Sequence, residues 1–179
     1  MKKDILRVAV IGPESAGKTT LCDALAKYYR TLWVPEYSRD YISALNRPYT
    51  KEDILFTIRE QCKLEETALI QTEHILFSDT DPIIASVWMQ DVYHEKSEEI
   101  ENLIADYPYD LYLLLSPDLP FVEDPVRENP LRRQYFFDWY QRELEERKLN
   151  YAIIKGQGEI RIRSAIKEVD KLLSSQRKT

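Results

Sequence analysis

Eight consecutive residues near the start of the chain have the types and the spacing that bind a phosphate group. They read Gly12-Pro13-Glu14-Ser15-Ala16-Gly17-Lys18-Thr19 and match the pattern G-x-x-x-x-G-K-[ST] without a mismatch. Backbone N–H groups must wrap a phosphate closely, so glycines serve where a Cβ would intrude. The lysine adds a positive charge, and the threonine hydroxyl can bind Mg²⁺ at the start of a helix whose N–H groups face the phosphates. The motif predicts a site for the β- and γ-phosphates of ATP or GTP.

The segments around this motif are those that a phosphate loop requires. An apolar, β-rich run covers residues 6–11 before the loop, and residues 18–30 after it carry apolar side chains at helical spacing. A second glycine-containing loop follows the last predicted strand at 155–158 and adds one residue to the expected nucleotide site. We assign ATP binding to Gly12, Glu14, Ser15, Ala16, Gly17, Lys18, Thr19, Thr20 and Gly156.

A second group of reactive side chains follows a short predicted strand at 31–35, which ends in a proline. The stretch 36–41 reads Glu-Tyr-Ser-Arg-Asp-Tyr and combines a carboxylate, an arginine and aromatic rings. Ligands of open α/β sheets bind at the carboxyl ends of the strands, which is where this stretch lies. We assign substrate binding to Glu36, Tyr37, Arg39 and Asp40. The alternative is a charged first turn of a helix that begins near Ser38.

Two aspartates follow the third predicted strand, residues 74–78. Asp79 stands at the end of this strand, beside the phosphate loop, where a carboxylate can hold Mg²⁺ together with Thr19. Asp81 lies two residues further on, and because Pro82 ends the strand, both carboxylates can reach the site. We therefore add Asp81 to the substrate residues. The alternative for Asp81 is a cap on the helix that begins at Pro82.

A proline-rich, charged segment follows the fourth predicted strand. Residues 116–130 contain four prolines and lead into two arginines and an aromatic helix. We interpret residues 117–147 as a lid, because lid arginines can neutralise transferring phosphates and exclude water. The candidate catalytic arginines are Arg127, Arg132 and Arg133. The alternative is a surface loop with its arginines in solvent.

The elements that must position these residues alternate between strands and helices. Strands are predicted at 6–11, 31–35, 74–78, 109–115 and 151–154, with helices between them and a closing helix after the last. A capping box of Thr50 and Asp53 begins the longest predicted helix, on which Glu60, Glu65, Glu66 and Glu73 are expected to form a solvated face. This alternation predicts an α/β fold with a five-stranded parallel sheet and helices on both faces.

Composition bounds the class of protein. The 179 residues are expected to form one domain spanning 1–179. The net charge of -6 disfavours a general nucleic-acid-binding surface, and no apolar stretch reaches the roughly 20 residues of a membrane span. The two cysteines, without C-x-x-C spacing, are typical of reduced thiols. We therefore expect a cytoplasmic protein that contacts neither nucleic acid nor membrane, and its oligomeric state stays open.

Together these motifs resemble one family, the ribosylnicotinamide kinase domain of bacterial NAD-salvage proteins, within the nucleoside and nucleotide kinase group of P-loop proteins. The resemblance covers roughly residues 5–170. It includes the Glu-Ser pair inside the phosphate loop, the E-Y-x-R-D-Y stretch at 36–41 and the D-T-D sequence at 79–81. It implies a P-loop kinase fold with a lid after strand four. Members with several activities also carry an adenylyltransferase domain, for which this chain has no room, so the kinase step alone is expected.

The resemblance also implies a reaction and its cofactors. ATP with Mg²⁺ would phosphorylate the ribose 5′-hydroxyl of nicotinamide riboside, a small-molecule substrate, and yield nicotinamide mononucleotide. Lys18 and the lid arginines would stabilise the transferring phosphate, and Glu36 would receive the hydroxyl proton, with Asp81 as the competing base. Two alternatives stay open: a kinase for another nucleoside or nucleotide, and a regulatory P-loop ATPase or switch that acts through a partner.

Overall fold

The computed structural model describes residues 5–123 and 131–176. Its sheet has five strands, all parallel, in the order β2-β3-β1-β4-β5. The strands are β1 (Leu6–Ile11), β2 (Trp33–Val34), β3 (Ile75–Asp79), β4 (Leu111–Leu115) and β5 (Tyr151–Ile154). The helices are α1 (Lys18–Tyr29), α2 (Tyr37–Ala44), α3 (Lys51–Gln71), α4 (Pro82–Tyr93), α5 (Glu98–Asp106), α6 (Arg133–Glu146) and α7 (Gly158–Gln176). The predicted five-stranded parallel α/β fold is confirmed.

Each face of the sheet is covered by its own helices because successive strand residues point to opposite sides. On one face, Val8 and Val10 of β1 pack in a buried cluster with Leu21 and Leu25 of α1 and Val169 of α7. On the other face, alternate strand residues pack against α4 and α6. That second cluster includes Ala9, Ile11, Tyr112, Leu114, Ile83, Val87, Phe136, Phe137, Tyr140 and Leu144.

The strand order decides what lies beside the phosphate loop. Since β3 pairs with β1 on one side and with β2 on the other, its end lies between the ends of those two strands. In the register, Val10 of β1 stands opposite Asp79 of β3, and Val34 of β2 stands opposite Ser78. The loop after β1, the carboxylate of Asp79 and the stretch after β2 therefore share one edge of the sheet.

Helix α6 belongs to the core. Its residues Phe136, Phe137 and Leu144 are buried against the sheet and α4. The part of the expected lid that falls in α6 is thus packed structure, whereas residues 116–123, which follow β4, contain neither helix nor strand. Residues 124–130, with the candidate Arg127, lie outside the described part of the chain.

Helix α3 begins at the predicted capping box, in which the Thr50 side chain accepts from the Asp53 N–H and the Asp53 side chain accepts from the Thr50 N–H. The expectation that its acidic residues share a solvated face is wrong for one of them. Glu65 is buried, where it forms an ion pair with Arg7 at 2.6 Å and accepts hydrogen bonds from the Tyr109 hydroxyl. Across residues 5–123 and 131–176, no helix is both long and apolar enough to cross a membrane.

Candidate active site

The phosphate loop has the backbone conformations that its sequence predicts. Gly12 has φ +152°, and a Cβ at this position would lie 3.0 Å from the Leu115 carbonyl oxygen of β4. Gly17 has φ +83° and is the residue before the first turn of α1. Such angles disfavour residues with a Cβ, so both glycines are required by the turn itself. Lys18 donates from Nζ to the Gly12 carbonyl oxygen at 3.1 Å, across the loop.

Asp79 and Thr19 form the candidate metal site. The Thr19 hydroxyl donates to Oδ2 of Asp79 at 2.5 Å, while Oδ1 is buried and has no hydrogen-bond partner among the described residues. Burial raises the pKa of Asp79 to about 6, opposed by the positive charge of Lys18 and reinforced by the negative charge of Glu36. An unpartnered carboxylate oxygen beside a hydroxyl suits a hard cation that needs oxygen ligands.

Among the described residues, no group of three or more histidine, cysteine, aspartate or glutamate side chains could hold a metal ion. A cation at Asp79 would therefore take its remaining ligands from water and from phosphate oxygens, which is the usual arrangement for Mg²⁺ at phosphate-transfer sites. The residues present thus fit a magnesium ion that arrives with a nucleotide.

Glu36 lines a pocket next to this edge of the sheet. Its Oε1 accepts a hydrogen bond of 2.7 Å from the Ser38 hydroxyl, in the first turn of α2. The pocket lies between α2, α3 and α4 and has a cavity volume of about 30 Å³. Its lining residues are Glu36, Ser38, Thr57, Ile58, Gln61, Thr80, Ile84, Ala85 and Trp88. Polar groups lie beside apolar and aromatic walls here, as is typical of small-molecule sites.

Thr80 separates the two aspartates in an unusual backbone conformation. Its φ is +119°, which is rare for a β-branched residue and costs on the order of 1–3 kcal/mol. Asp79 interacts with the phosphate loop, whereas Asp81 is fully buried and caps α4 by accepting from the Ile84 N–H at 3.1 Å. Asp81 does not line the pocket. The helix-cap alternative is therefore what the structure shows for this residue, and burial raises the pKa of Asp81 to about 7.

The other predicted substrate residues from the stretch 36–41, Tyr37, Arg39 and Asp40, lie on α2. The Tyr37 ring stacks on Tyr41 at 6.2 Å between centroids and also contacts Phe56, so it belongs to an aromatic cluster beside the pocket. Arg39 is half-buried, and its charge lowers the pKa of Asp79. Asp40 is exposed. Of the four candidates from 36–40, only Glu36 lines the pocket; the substrate roles of the other three stay predictions.

The two candidate catalytic arginines that the structure describes, Arg132 and Arg133, have different partners. Arg132 forms a bidentate ion pair with Asp91 of α4 and lies over the ring of Tyr135. Arg133 donates to the carbonyl oxygens of Glu14 at 3.0 Å, Ser15 at 3.3 Å and Leu119 at 2.7 Å. Arg133 therefore joins α6 and the segment after β4 to the phosphate loop.

A second arginine supports the loop from the opposite side. Arg161 of α7 is buried and donates to the carbonyl oxygens of Ala16 at 2.5 Å and Gly156 at 2.6 Å, and it pairs with Asp118. Asp118 in turn accepts from the Gly156 N–H at 2.7 Å. Gly156, predicted to bind nucleotide, has φ +87° and a close neighbour in Ile160. Gly156 thus lies in a turn that the Arg161 side chain links to the phosphate loop by hydrogen bonds.

A family model described as an AAA domain matches residues 7–161. The chain belongs to this AAA-domain family. Two relatives confirm the family resemblance that the motifs indicated. Both are described as the trifunctional NAD biosynthesis/regulator protein NadR, one from Salmonella typhimurium strain LT2 and one from Escherichia coli strain K12. Each is 26% identical over 156 residues, covering 83% of this chain and 38% of the relative. This AAA domain therefore spans well under half the length of these curated relatives.

Solved structures of NadR are similar to this chain as well. A crystal structure of NadR in complex with NR is 27% identical with a TM-score of 0.81 and covers 94% of this AAA domain and 51% of that chain. A structure of NadR with NAD and AMP-PNP has a TM-score of 0.75 over 94% of this chain and 49% of that one. A deoxyadenosine kinase from M. mycoides, at 13% identity and a TM-score of 0.65, shares the fold. The fold of this AAA domain is that of P-loop nucleoside and nucleotide kinases.

Sequence reasoning missed several residues of the site. Asp53, Thr57, Gln61 and Glu65 stand four apart on α3, and all four side chains are buried. Two of them, Thr57 and Gln61, line the pocket, and Trp88 of α4 lines it as well. Polar residues at helical spacing beside the apolar stripe of Ile54 and Ile58 were the available signal, because a buried polar stripe needs partners. Arg161 of this AAA domain carried no comparable signal.

A wider, open groove also lies on the surface of the protein. It runs between α1 and α7 and is lined by Tyr28, Arg163, Ile166, Lys167, Asp170, Lys171, Ser174 and Ser175. None of the predicted site residues lines it. The smaller pocket beside the phosphate loop is therefore the candidate active site of this AAA domain. It is concave, and its lining includes Glu36 from the motif at 36–41 and Thr80 from the motif at 79–81.

Proposed function

We propose that this chain is an ATP-dependent kinase that phosphorylates the ribose 5′-hydroxyl of nicotinamide riboside and yields nicotinamide mononucleotide. The observation that carries the proposal is the position of Asp79 between the phosphate loop and Glu36. A donor site for phosphate and a pocket with a carboxylate thus share one edge of the sheet. The similarity to NadR, which is solved with NR and with AMP-PNP, supports the same assignment.

The phosphate-donor half of the reaction rests on the loop. Its backbone N–H groups and the Lys18 ammonium would bind the β- and γ-phosphates of ATP, and the positive end of α1 favours their charge. Thr19 and Asp79 would hold Mg²⁺, which neutralises charge that develops on the phosphate oxygens. Arg133 and Arg161 donate hydrogen bonds to carbonyl oxygens of the phosphate loop. These bonds would hold the loop so that its N–H groups point at the nucleotide.

The acceptor half rests on Glu36. In the transfer, the 5′-oxygen of the ribose forms a bond to the γ-phosphorus, the bond from that phosphorus to the β–γ bridging oxygen breaks, and ADP leaves. The hydroxyl proton passes to the Glu36 carboxylate, whose orientation is set by the Ser38 hydroxyl. Asp81 is the weaker candidate for this base because it caps α4 inside the core.

Selectivity for a cationic base has support in the pocket lining. The pyridinium ring of nicotinamide riboside is positively charged and favours an aromatic face and a nearby carboxylate. Trp88 and Glu36 supply such groups on the pocket wall. The proposal includes a cytoplasmic location, supported by Cys22 and Cys62, which are separate buried thiols.

The test is turnover of a nucleoside panel, followed by mass spectrometry, with ATP or GTP and Mg²⁺. Nicotinamide riboside is expected to be the best acceptor, and nucleotide hydrolysis without an acceptor is expected to be slow. Preference for another nucleoside or nucleotide would support the first alternative function. Hydrolysis without transfer to any acceptor would support a regulatory ATPase.

A variant pair tests the base in the same assay. Glu36→Gln is expected to lower kcat by about 10²- to 10⁴-fold while ATP affinity, measured by calorimetry, is unchanged. Glu73→Gln, on the exposed surface, is the matched control. If Glu36→Gln keeps kcat and only raises the nucleoside KM, Glu36 is a binding group and the base is Asp81.

A further inference from the structure

The orientation of one buried amide in the pocket is determined by chemistry. Gln61 is 1% exposed, and its Oε1 lies 2.9 Å from the backbone N of Tyr37. The Tyr37 N–H can only donate, so the amide atom that faces it must be the oxygen. The other end of the Gln61 side chain is therefore an NH₂ group, which can only donate.

This NH₂ group has no partner within the described part of the protein. Nε2 of Gln61 is buried and makes no hydrogen bond there. A buried donor without an acceptor costs roughly 1–3 kcal/mol, and nearly all such groups in folded proteins are paired. Gln61 also lines the pocket that contains Glu36, so an acceptor atom on a bound molecule would remove this cost.

The surroundings of Gln61 indicate which part of a nucleoside meets it. Glu36 and Ser38 offer a carboxylate and a hydroxyl, which suit sugar hydroxyls that both donate and accept. The same pocket is also lined by the apolar or aromatic side chains of Ile58, Ala85 and Trp88, and such surfaces suit a flat base. An NH₂ donor needs an acceptor atom, and on a pyridinium base, whose ring nitrogen is bonded to the ribose, the available acceptor is the carbonyl oxygen of the ring substituent.

We propose that Gln61 is a specificity residue whose NH₂ group donates to a carbonyl oxygen on the acceptor base. For the substrate proposed above, on which this inference rests, that atom is the oxygen of the carboxamide. An acceptor base without this oxygen leaves the buried donor unpaired, so the protein is expected to discriminate against it. Sites built to bind a polar substrate group reject analogues that lack it more strongly than apolar pockets reject a missing methylene.

The experiment compares kcat/KM for three ribosides with the full chain, ATP and Mg²⁺. Nicotinamide riboside and 3-acetylpyridine riboside both carry the carbonyl oxygen, whereas pyridine riboside lacks it. The wild type is expected to use the first two similarly and pyridine riboside about 10- to 100-fold less well. Gln61→Met removes the donor together with the oxygen that accepts from the Tyr37 N–H, and it is expected to lower kcat/KM for the first two ribosides more than for pyridine riboside. Gln71→Met, exposed on the same helix, is the control.

The outcomes separate the two proposals. If the wild type phosphorylates nicotinamide riboside but uses pyridine riboside equally well, the proposed function stands and the role of Gln61 is overturned. Equal losses for all three ribosides in Gln61→Met also overturn it, because a purely structural role predicts that result. If another nucleoside is the substrate, the proposed acceptor fails, and Gln61 is tested with that nucleoside and its analogue without the base carbonyl. If Gln61→Met does not fold, Gln61→Glu, which keeps an oxygen for the Tyr37 N–H and lacks the NH₂ donor, takes its place in the same comparison. A wild type without any nucleoside kinase activity overturns both proposals.

Discussion

The Thr19 hydroxyl donates to Oδ2 of Asp79 at 2.5 Å, although the two residues are 60 positions apart in the chain. The contact joins the first turn of α1 to the last residue of β3, across the pairing of β1 with β3. It leaves Oδ1 of the same carboxylate buried without a partner among the described residues. These two side chains are therefore the pair that we propose for holding a cation beside the phosphates of a nucleotide.

Asp79→Asn is expected to weaken the binding of Mg²⁺, because an amide keeps the shape of the side chain but loses its charge. The Mg²⁺ concentration for half-maximal turnover is expected to rise about 10- to 100-fold, while nucleoside binding changes little. A Mg²⁺ titration of turnover measures this. Asp23→Asn, on the surface of α1 in an ion pair with Lys27, is the control. An unchanged midpoint would exclude Asp79 as the metal residue.

Lys18→Ala is expected to remove most turnover and leave the fold intact. The ammonium of Lys18 contacts only the Gly12 and Pro13 carbonyl oxygens within the described chain, so little packing is lost. Loss of one electrostatic contact to a transferring phosphate typically costs on the order of 10²-fold or more in rate. Steady-state kinetics and circular dichroism measure the two effects, with Lys27→Ala as the exposed control. Turnover near the wild-type rate would contradict the phosphate-loop assignment.

The arginines at the start of α6 are expected to differ in importance. Arg133→Ala removes two hydrogen bonds to carbonyl oxygens of the phosphate loop and one to the segment after β4, so the phosphate loop is expected to shift and kcat to fall roughly 10- to 100-fold. Arg132→Ala removes a partly exposed pair with Asp91 and is expected to change kcat little. Kinetics of both variants at saturating ATP measure the difference. Equal losses would indicate that both arginines reach the phosphates, as a closing lid requires.

Asp81→Asn is expected to gain stability relative to the wild type as pH rises. Burial raises the pKa of Asp81 to about 7, whereas an unfolded aspartate titrates near about 4. The folded wild type therefore binds more protons than the unfolded chain between these values, and Asp81 costs stability progressively as pH increases through this window. Asparagine keeps an oxygen for the Ile84 N–H and has no charge to bury.

Thermal unfolding from about pH 4 to about pH 8 measures the effect of Asp81→Asn. The Tm of the variant minus that of the wild type is expected to rise across this range. Asp106→Asn, at an exposed position of α5, serves as the control. A difference in Tm that is independent of pH would show that Asp81 titrates normally in the folded protein.

The amino-acid sequence by itself determined the local parts of this protein. The phosphate loop, the alternation of strands and helices and the capping box at Thr50 depend on residues within a few positions of one another. Their periods and spacings therefore predicted them correctly. Glu36 and Asp79 could be placed at the carboxyl edge of the sheet for the same reason, because every parallel strand ends there.

The tertiary structure decided which of these residues meet. The strand order β2-β3-β1 puts Asp79 between Glu36 and the phosphate loop, and no local pattern specifies which strands pair. The sequence pattern predicted Glu65 to be a surface residue, but in the folded chain it is paired with Arg7 and Tyr109 from distant segments. In the same way, Arg133 and Arg161 bind loop carbonyls more than 100 positions away. Buried polar groups are stabilised only by such long-range partners, so their burial becomes visible only in the folded chain.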